Sequence, residues 1–208
     1  MKIISISNQK GGVGKTTTAV NLAQAIAATN RKTLLVDLDP QGNASTASGA
    51  KKNNSLFETT LGKHVSELIQ TSSNQYDVLA GGEDLVALEV ALRNNPTKGH
   101  IAKSLKELDY DFVFIDTPPS LNSLTLDALI SSDGTLIPLQ CEYYSLEGIS
   151  SLINTINTLK NKNLTNNKVF GIVRTMVDMR NNLAKEVSEE LEKHFPSLVF
   201  NTLIPRNV

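Results

Sequence analysis

Short apolar runs alternate along the chain with longer segments whose apolar residues recur every third or fourth position. That alternation is the signature of βα units around a parallel sheet. The runs Lys2–Ser7, Thr33–Leu38, Asp111–Ile115, Gly134–Leu139, Val169–Met176 and Val199–Ile204 are predicted strands. Several are continuous β-branched stretches, as strands covered on both faces require. Helices are predicted over Lys15–Ala28, about Leu146–Leu159 and Leu183–His194. Leu146, Ile149, Leu152, Ile153 and Ile156 share one face of the second, and Leu183, Val187 and Leu191 lie one turn apart on the third. Such stripes are core faces. Between Ala50 and Asn95 the pattern weakens. It predicts a polar, mobile loop over Ala50–Thr60, a helix around His64–Ile69, a strand Tyr76–Leu79 and a helix around Glu83–Arg93. The fold class expected is α/β, a mostly parallel twisted sheet with helices on both faces.

Composition narrows the class. The chain has 208 residues, 40% hydrophobic and 20% charged, which suits one soluble domain spanning residues 1–208. That length buries a sizeable core without disulfides or structural metals. Twenty basic residues nearly cancel twenty-one acidic ones, so any nucleic-acid contact must come from a local patch. Cys141 is the only cysteine, which excludes a disulfide framework and a CxxC metal site and fits a reducing cytosol. It follows a predicted buried strand and is expected in the core. Met1-Lys2 leads straight into an apolar run ending at Asn8, unlike a signal peptide. No apolar stretch reaches membrane-spanning length.

The candidate chemistry begins where the first strand ends. Lys10-Gly11-Gly12-Val13-Gly14-Lys15-Thr16-Thr17 stands between that strand and the first helix. The usual phosphate loop reads G-x-x-x-x-G-K-[ST], and Gln9 occupies its first glycine position here. The physics is kept. Gly11, Gly12 and Gly14 let the backbone N–H groups around Val13 turn inward on phosphate oxygens, and the helix N-terminus adds its positive end. Lys15 is placed to reach β- and γ-phosphates, Thr16 to ligate Mg²⁺, and Thr17 to lie near the α-phosphate. ATP and Mg²⁺ are the cofactors implied. Lys10 cannot easily curl back onto its own nucleotide. Either it reaches a nucleotide held by a second subunit or it is a solvated surface lysine.

Two apolar strands end in acids. Val36-Asp37-Leu38-Asp39-Pro40 puts two carboxylates on one side of a strand's C-terminal end, where parallel sheets bind ligands. One can hold Mg²⁺ through water while the other orients an attacking water; the alternative is a turn or helix cap at Asp39-Pro40. Phe112-Val113-Phe114-Ile115-Asp116 has the form of a Walker B strand, with Asp116 in the Mg²⁺ shell. His64, His100 and His194 lack metal-ligand spacing and are expected at surface or capping positions. Tyr143 and Tyr144, opening a helix after a strand, are expected to be packing residues, with base stacking the alternative.

Five blocks carry a family resemblance. They are Asn8-Gln9-Lys10-Gly11-Gly12-Val13-Gly14-Lys15-Thr16-Thr17-Thr18, Val36-Asp37-Leu38-Asp39-Pro40-Gln41-Gly42-Asn43, Ile115-Asp116-Thr117-Pro118-Pro119-Ser120, Pro138 through Gly148, and Ile204-Pro205-Arg206-Asn207-Val208. Together they resemble the ParA/Soj branch of the deviant Walker A P-loop ATPases, over essentially the whole chain. The first three blocks are shared with MinD relatives, and the last two resemble ParA/Soj. The resemblance implies an ATP-dependent sandwich homodimer in which Lys10 reaches the partner's ATP, with Lys15 and Asp39 completing the catalytic set. It places the adenine pocket on Thr175, Met176, Pro205, Arg206 and Asn207. It also implies DNA binding without sequence preference, with Arg180 of Thr175-Met176-Val177-Asp178-Met179-Arg180 as a phosphate contact. A ParB/Spo0J-like centromere-binding partner would stimulate hydrolysis. The location implied is cytoplasmic, nucleoid-associated when ATP is bound, with no membrane contact. Members of this branch continue beyond the equivalent of Val208 with a basic segment and a final helix, so this chain is expected to be short of both. A MinD-like membrane-surface ATPase and a dethiobiotin-synthetase-like ligase are the competing readings.

Overall fold

The computed structural model describes residues 1–52, 55–94, 99–178 and 180–207. Asn53 and Asn54 of the expected loop, Asn95, and Met179 and Val208 of the family-like segments lie outside the described residues. In chain order the elements are β1 (Lys2–Ile6), α1 (Lys15–Ala27), β2 (Thr33–Asp37), α2 (Asn43–Ala47), β3 (Ile69–Thr71), β4 (Asp77–Leu79), α3 (Leu85–Asn94), α4 (His100–Leu105), β5 (Phe112–Asp116), α5 (Ser123–Ser131), β6 (Gly134–Gln140), α6 (Ser145–Asn161), β7 (Lys168–Val177), α7 (Asn182–His194) and β8 (Val199–Pro205). The strands form one sheet in the order β3-β4-β2-β5-β1-β6-β7-β8. All neighbours are parallel except β3 and β4.

Alternation along the strands feeds two core layers. Leu34 and Val36 of β2 pack with Val113, Ile115, Leu85, Leu88 and Leu124 on one face. Leu35 and Phe114 point to the other, where Ala19, Ala23 and Ala27 bring α1 close. Small residues on that stripe let the helix approach the sheet and fix where its N-terminus sits. A third cluster joins Leu139 and Ile172 to Ile149, Leu152 and Ile156 of α6 and Val187 and Leu191 of α7. Cys141 belongs to it, and burial pushes its thiol upward in pKa.

The expected strands and long helices are present within about two residues, the ordinary scatter of element ends. One expectation is corrected. His64–Ile69 is a single 3₁₀ turn at Val65–Glu67, capped by the His64 side chain, followed by strand β3. Six residues are too few to sustain a helix alone, and the free edge of β4 offers a ladder instead. The expected loop holds another 3₁₀ turn, Leu56–Leu61, anchored by buried Leu56.

Register sets up the site. Asp37 at the end of β2 lies opposite Asp116 at the end of β5, and Asp116 lies opposite Ile6, the last residue of β1. The glycine loop leaves β1 beside both acids.

Candidate nucleotide site

The loop is pinned before it turns. Asn8 donates from Nδ2 to the carbonyl of Pro138 on β6 (2.7 Å) and accepts at Oδ1 from the Lys10 N–H (3.0 Å). Gly12 and Gly14 take left-handed backbone angles, φ 73° and 84°, where a side chain would be strained. The carbonyl of buried Val13 accepts the Thr175 hydroxyl at 2.8 Å, so β7 braces the loop from the far side. Gly14 precedes α1, no side chain caps that helix, and no acid occupies its first turn. Its leading N–H groups are left to an anion.

Lys15 is only 7% exposed, and its ammonium donates to the Lys10 carbonyl at 2.9 Å. Burial lowers its pKa, against the pull of Asp116 and Asp39. Thr16 donates from its hydroxyl to Asp116 Oδ2 at 2.7 Å. The other oxygen, Asp116 Oδ1, is buried with no hydrogen-bond partner among the described residues. Burial pushes this carboxyl up to about 7; the Thr16 bond opposes that and the neighbouring Asp37 charge adds to it. A desolvated carboxylate with a free oxygen beside a threonine hydroxyl is a donor set that a hard divalent cation satisfies. The residues fit magnesium.

Asp37 is also buried, with its pKa raised first by desolvation, but its oxygens are engaged. Oδ2 accepts from the Ser45 N–H and hydroxyl (2.8 and 2.7 Å) and Oδ1 from the Asp39 N–H (3.1 Å). Its charge therefore sits beside Asp116 from behind a brace to α2. Asp39 is half-buried at the mouth, and its Oδ1 accepts the Gln41 N–H at 2.9 Å, forming the turn after β2.

A trough of about 740 Å³ continues from the loop, lined by Gly14, Thr17, Leu22, Thr175, Met176 and Ile204 among others. Met176 holds φ 50°, unusual for a side chain of its size. Pro205, Arg206 and Asn207 are exposed at the end of β8, joined to β7 by the Arg206 N–H to the Val177 carbonyl (3.1 Å). They adjoin the trough rather than line it. Arg180 is exposed on the turn after β7 and is held by Asp178: Nε to Oδ1 at 2.9 Å and an Nη to Oδ2 at 2.8 Å. That pairing holds Asp178 down to a pKa of about 2.

Two features were missed in the sequence. Glu142, just after β6, forms an ion pair with Lys10. No local pattern marks that pair, because 132 positions separate its members. Tyr143 and Tyr144 correct an expectation: they are 75% and 72% exposed and touch each other edge to face, with ring centroids 5.0 Å apart. Ser145 bonds back to the Gln140 carbonyl and starts α6 there, which leaves both rings ahead of the helix and outside the core.

A family model described as an AAA domain matches residues 1–170. The chromosome partitioning protein ParA of Myxococcus xanthus is 46% identical over 215 residues, covering 100% of this chain and 76% of that protein. The chain belongs to the ParA/Soj family of partitioning ATPases. The sporulation initiation inhibitor protein Soj of Bacillus subtilis, another family member, is 42% identical over 100% of this chain and 85% of its own length. Among solved structures, a cobyrinic acid a,c-diamide synthase from Mycobacterium smegmatis with bound ADP and magnesium superposes with TM-score 0.91 at 30% identity, covering 100% of this chain and 87% of that one. A plasmid partition protein from Borrelia burgdorferi bound to AMPPNP gives 0.83 at 26% identity, covering 99% and 85%. Among the described residues no helix is long and apolar enough to cross a membrane.

Proposed function

We propose that residues 1–208 form one ATPase domain of a partitioning switch that binds ATP and Mg²⁺, pairs with a second copy, binds DNA and resets by hydrolysis. The observation that carries this is the bond from Thr16 to buried Asp116, whose other oxygen is open, at an uncapped helix N-terminus beside Lys15. Magnesium, when bound, offsets charge on the β- and γ-phosphates. Backbone N–H groups of Gly11 through Thr17 would hold the phosphate oxygens, and Lys15 would reach the β- and γ-phosphates. Thr16 and Asp116 hold the cation, with Asp37 supplying charge behind them. Asp39, at the mouth, orients the attacking water. Thr175 and Met176 wall the nucleoside, with Pro205, Arg206 and Asn207 closing over the base. Lys10 leaves Glu142 to meet the nucleotide of the second copy. Arg180 contacts DNA phosphate without reading sequence. A ParB/Spo0J-like partner stimulates hydrolysis, and the cycle runs in the cytoplasm, on the nucleoid while ATP is bound.

The likeness to a diamide synthase favours a second reading, ATP activation of a small carboxylate on the same scaffold. One assay separates them. ATP turnover that rises with duplex DNA plus a centromere-binding partner supports partitioning. Turnover that rises with small carboxylates and ammonia donors, and not with DNA, overturns it.

A further inference from the structure

We propose that Tyr143 and Tyr144 are an aromatic anchor, buried by a second copy of this chain when two copies meet at their phosphate loops. This rests on the dimer reading above and adds to it a place where the contact energy resides. The two rings are the most exposed large hydrophobic side chains among the described residues, and they support each other edge to face. They stand beside Glu142, which holds Lys10 at the head of the loop. Across the mouth, Gly11 lies against Pro119, and Leu121 beyond it is exposed. Apolar and aromatic groups thus flank the phosphate loop on two sides, whereas water covers them in the single chain.

A tyrosine buries roughly 150–250 Å² and has few torsions to freeze, so two adjacent ones suit the centre of an interface. The charges decide the occupant. Lys10 and Glu142 set a cation and an anion side by side, each less than half exposed. A Lys10 that crosses to the second copy brings the face around it, Glu142 and the two rings included, against the same face of that copy. Glu147 in the first turn of α6 adds a second negative charge, which repels a phosphate backbone and disfavours nucleic acid here.

The test compares the parent chain with a Tyr143→Ser, Tyr144→Ser double variant, each with Mg²⁺ and AMPPNP, by light scattering over a concentration series. Both tyrosines are exposed, so the fold and nucleotide binding by a single chain should be kept, as a fluorescent-nucleotide titration shows. The dimer dissociation constant should rise about 10-fold or more. Leu183→Ser, exposed on α7, should leave it unchanged. A parent that dimerises with nucleotide beside a double variant that dimerises equally well overturns the anchor and leaves the dimer reading standing. The anchor is equally overturned if the double variant loses only its response to DNA or to a centromere-binding protein. A parent that binds nucleotide yet stays monomeric overturns the dimer reading, and the anchor with it.

Discussion

Thr16 and Asp116, a hundred positions apart, share a 2.7 Å hydrogen bond that leaves one Asp116 oxygen buried and unpartnered among the described residues. The hydroxyl and the open oxygen together define where a cation fits. Asp116→Asn keeps an acceptor for Thr16 and removes the charge. In the parent, Mg²⁺ should tighten binding of a fluorescent ATP analogue at least about 10-fold relative to a chelator. In the variant that gain should fall to near none. A variant with the full magnesium gain would remove Asp116 from the metal shell.

Lys15 is a buried cation whose ammonium bonds to the Lys10 carbonyl. The counter-ion proposed for it is phosphate. Lys15→Ala should weaken nucleotide binding by roughly 10- to 150-fold, the worth of a charged hydrogen bond. Equilibrium titration with labelled ATP checks it, and unchanged affinity would refute the loop assignment.

Asp39 differs from the buried acids because it faces the mouth and makes one backbone bond to Gln41. Asp39→Ala should leave ATP affinity within about 3-fold and reduce turnover by roughly 100-fold or more, within the range of a positioned general base. A dimer that persists with ATP in light scattering should accompany it. Turnover at the parent rate would move the water-orienting role elsewhere.

The Asp178 carboxylate neutralises Arg180 in the single chain. Arg180→Glu should flatten the dependence of log affinity for duplex DNA on log salt by about one unit, equally for unrelated sequences. Asp178→Asn should raise DNA affinity in the parent and not in an Arg180→Ala background. A gain that survives without Arg180 would show that only the net charge matters.

Asp127 accepts the first N–H groups of α4, from His100 and Ile101, each at 2.9 Å. Asp127→Ala should cost about 1 kcal/mol of stability, the usual value of a helix cap, with nucleotide affinity unchanged. Chemical denaturation alongside titration measures both.

What could be read in the sequence was whatever depends on neighbours along the chain. The glycine loop, Lys15 and the apolar strands ending at Asp37 and Asp116 are local patterns, and their register brings them together as expected. Local stability was harder to judge. Val65 and Leu68 share a helical spacing, yet the segment is a single turn because an adjacent strand edge competes for it. Long-range polar partners were invisible. Nothing beside Lys10 announces Glu142, and nothing beside Asp37 announces that Ser45 takes up one of its oxygens. The exposed tyrosines failed for a related reason: where α6 starts depends on the Ser145 bond to Gln140.

The uncapped start of α1 has a consequence for the protein as a molecule that must survive heat and proteases. Any ligand that fills it favours the folded chain by mass action, by about 2.7 kcal/mol at a hundredfold excess over its dissociation constant. The same ligand would also meet Lys15, a buried cation whose desolvation the charges of Asp116 and Asp39 only partly offset. The melting temperature of the chain should therefore climb with nucleotide concentration.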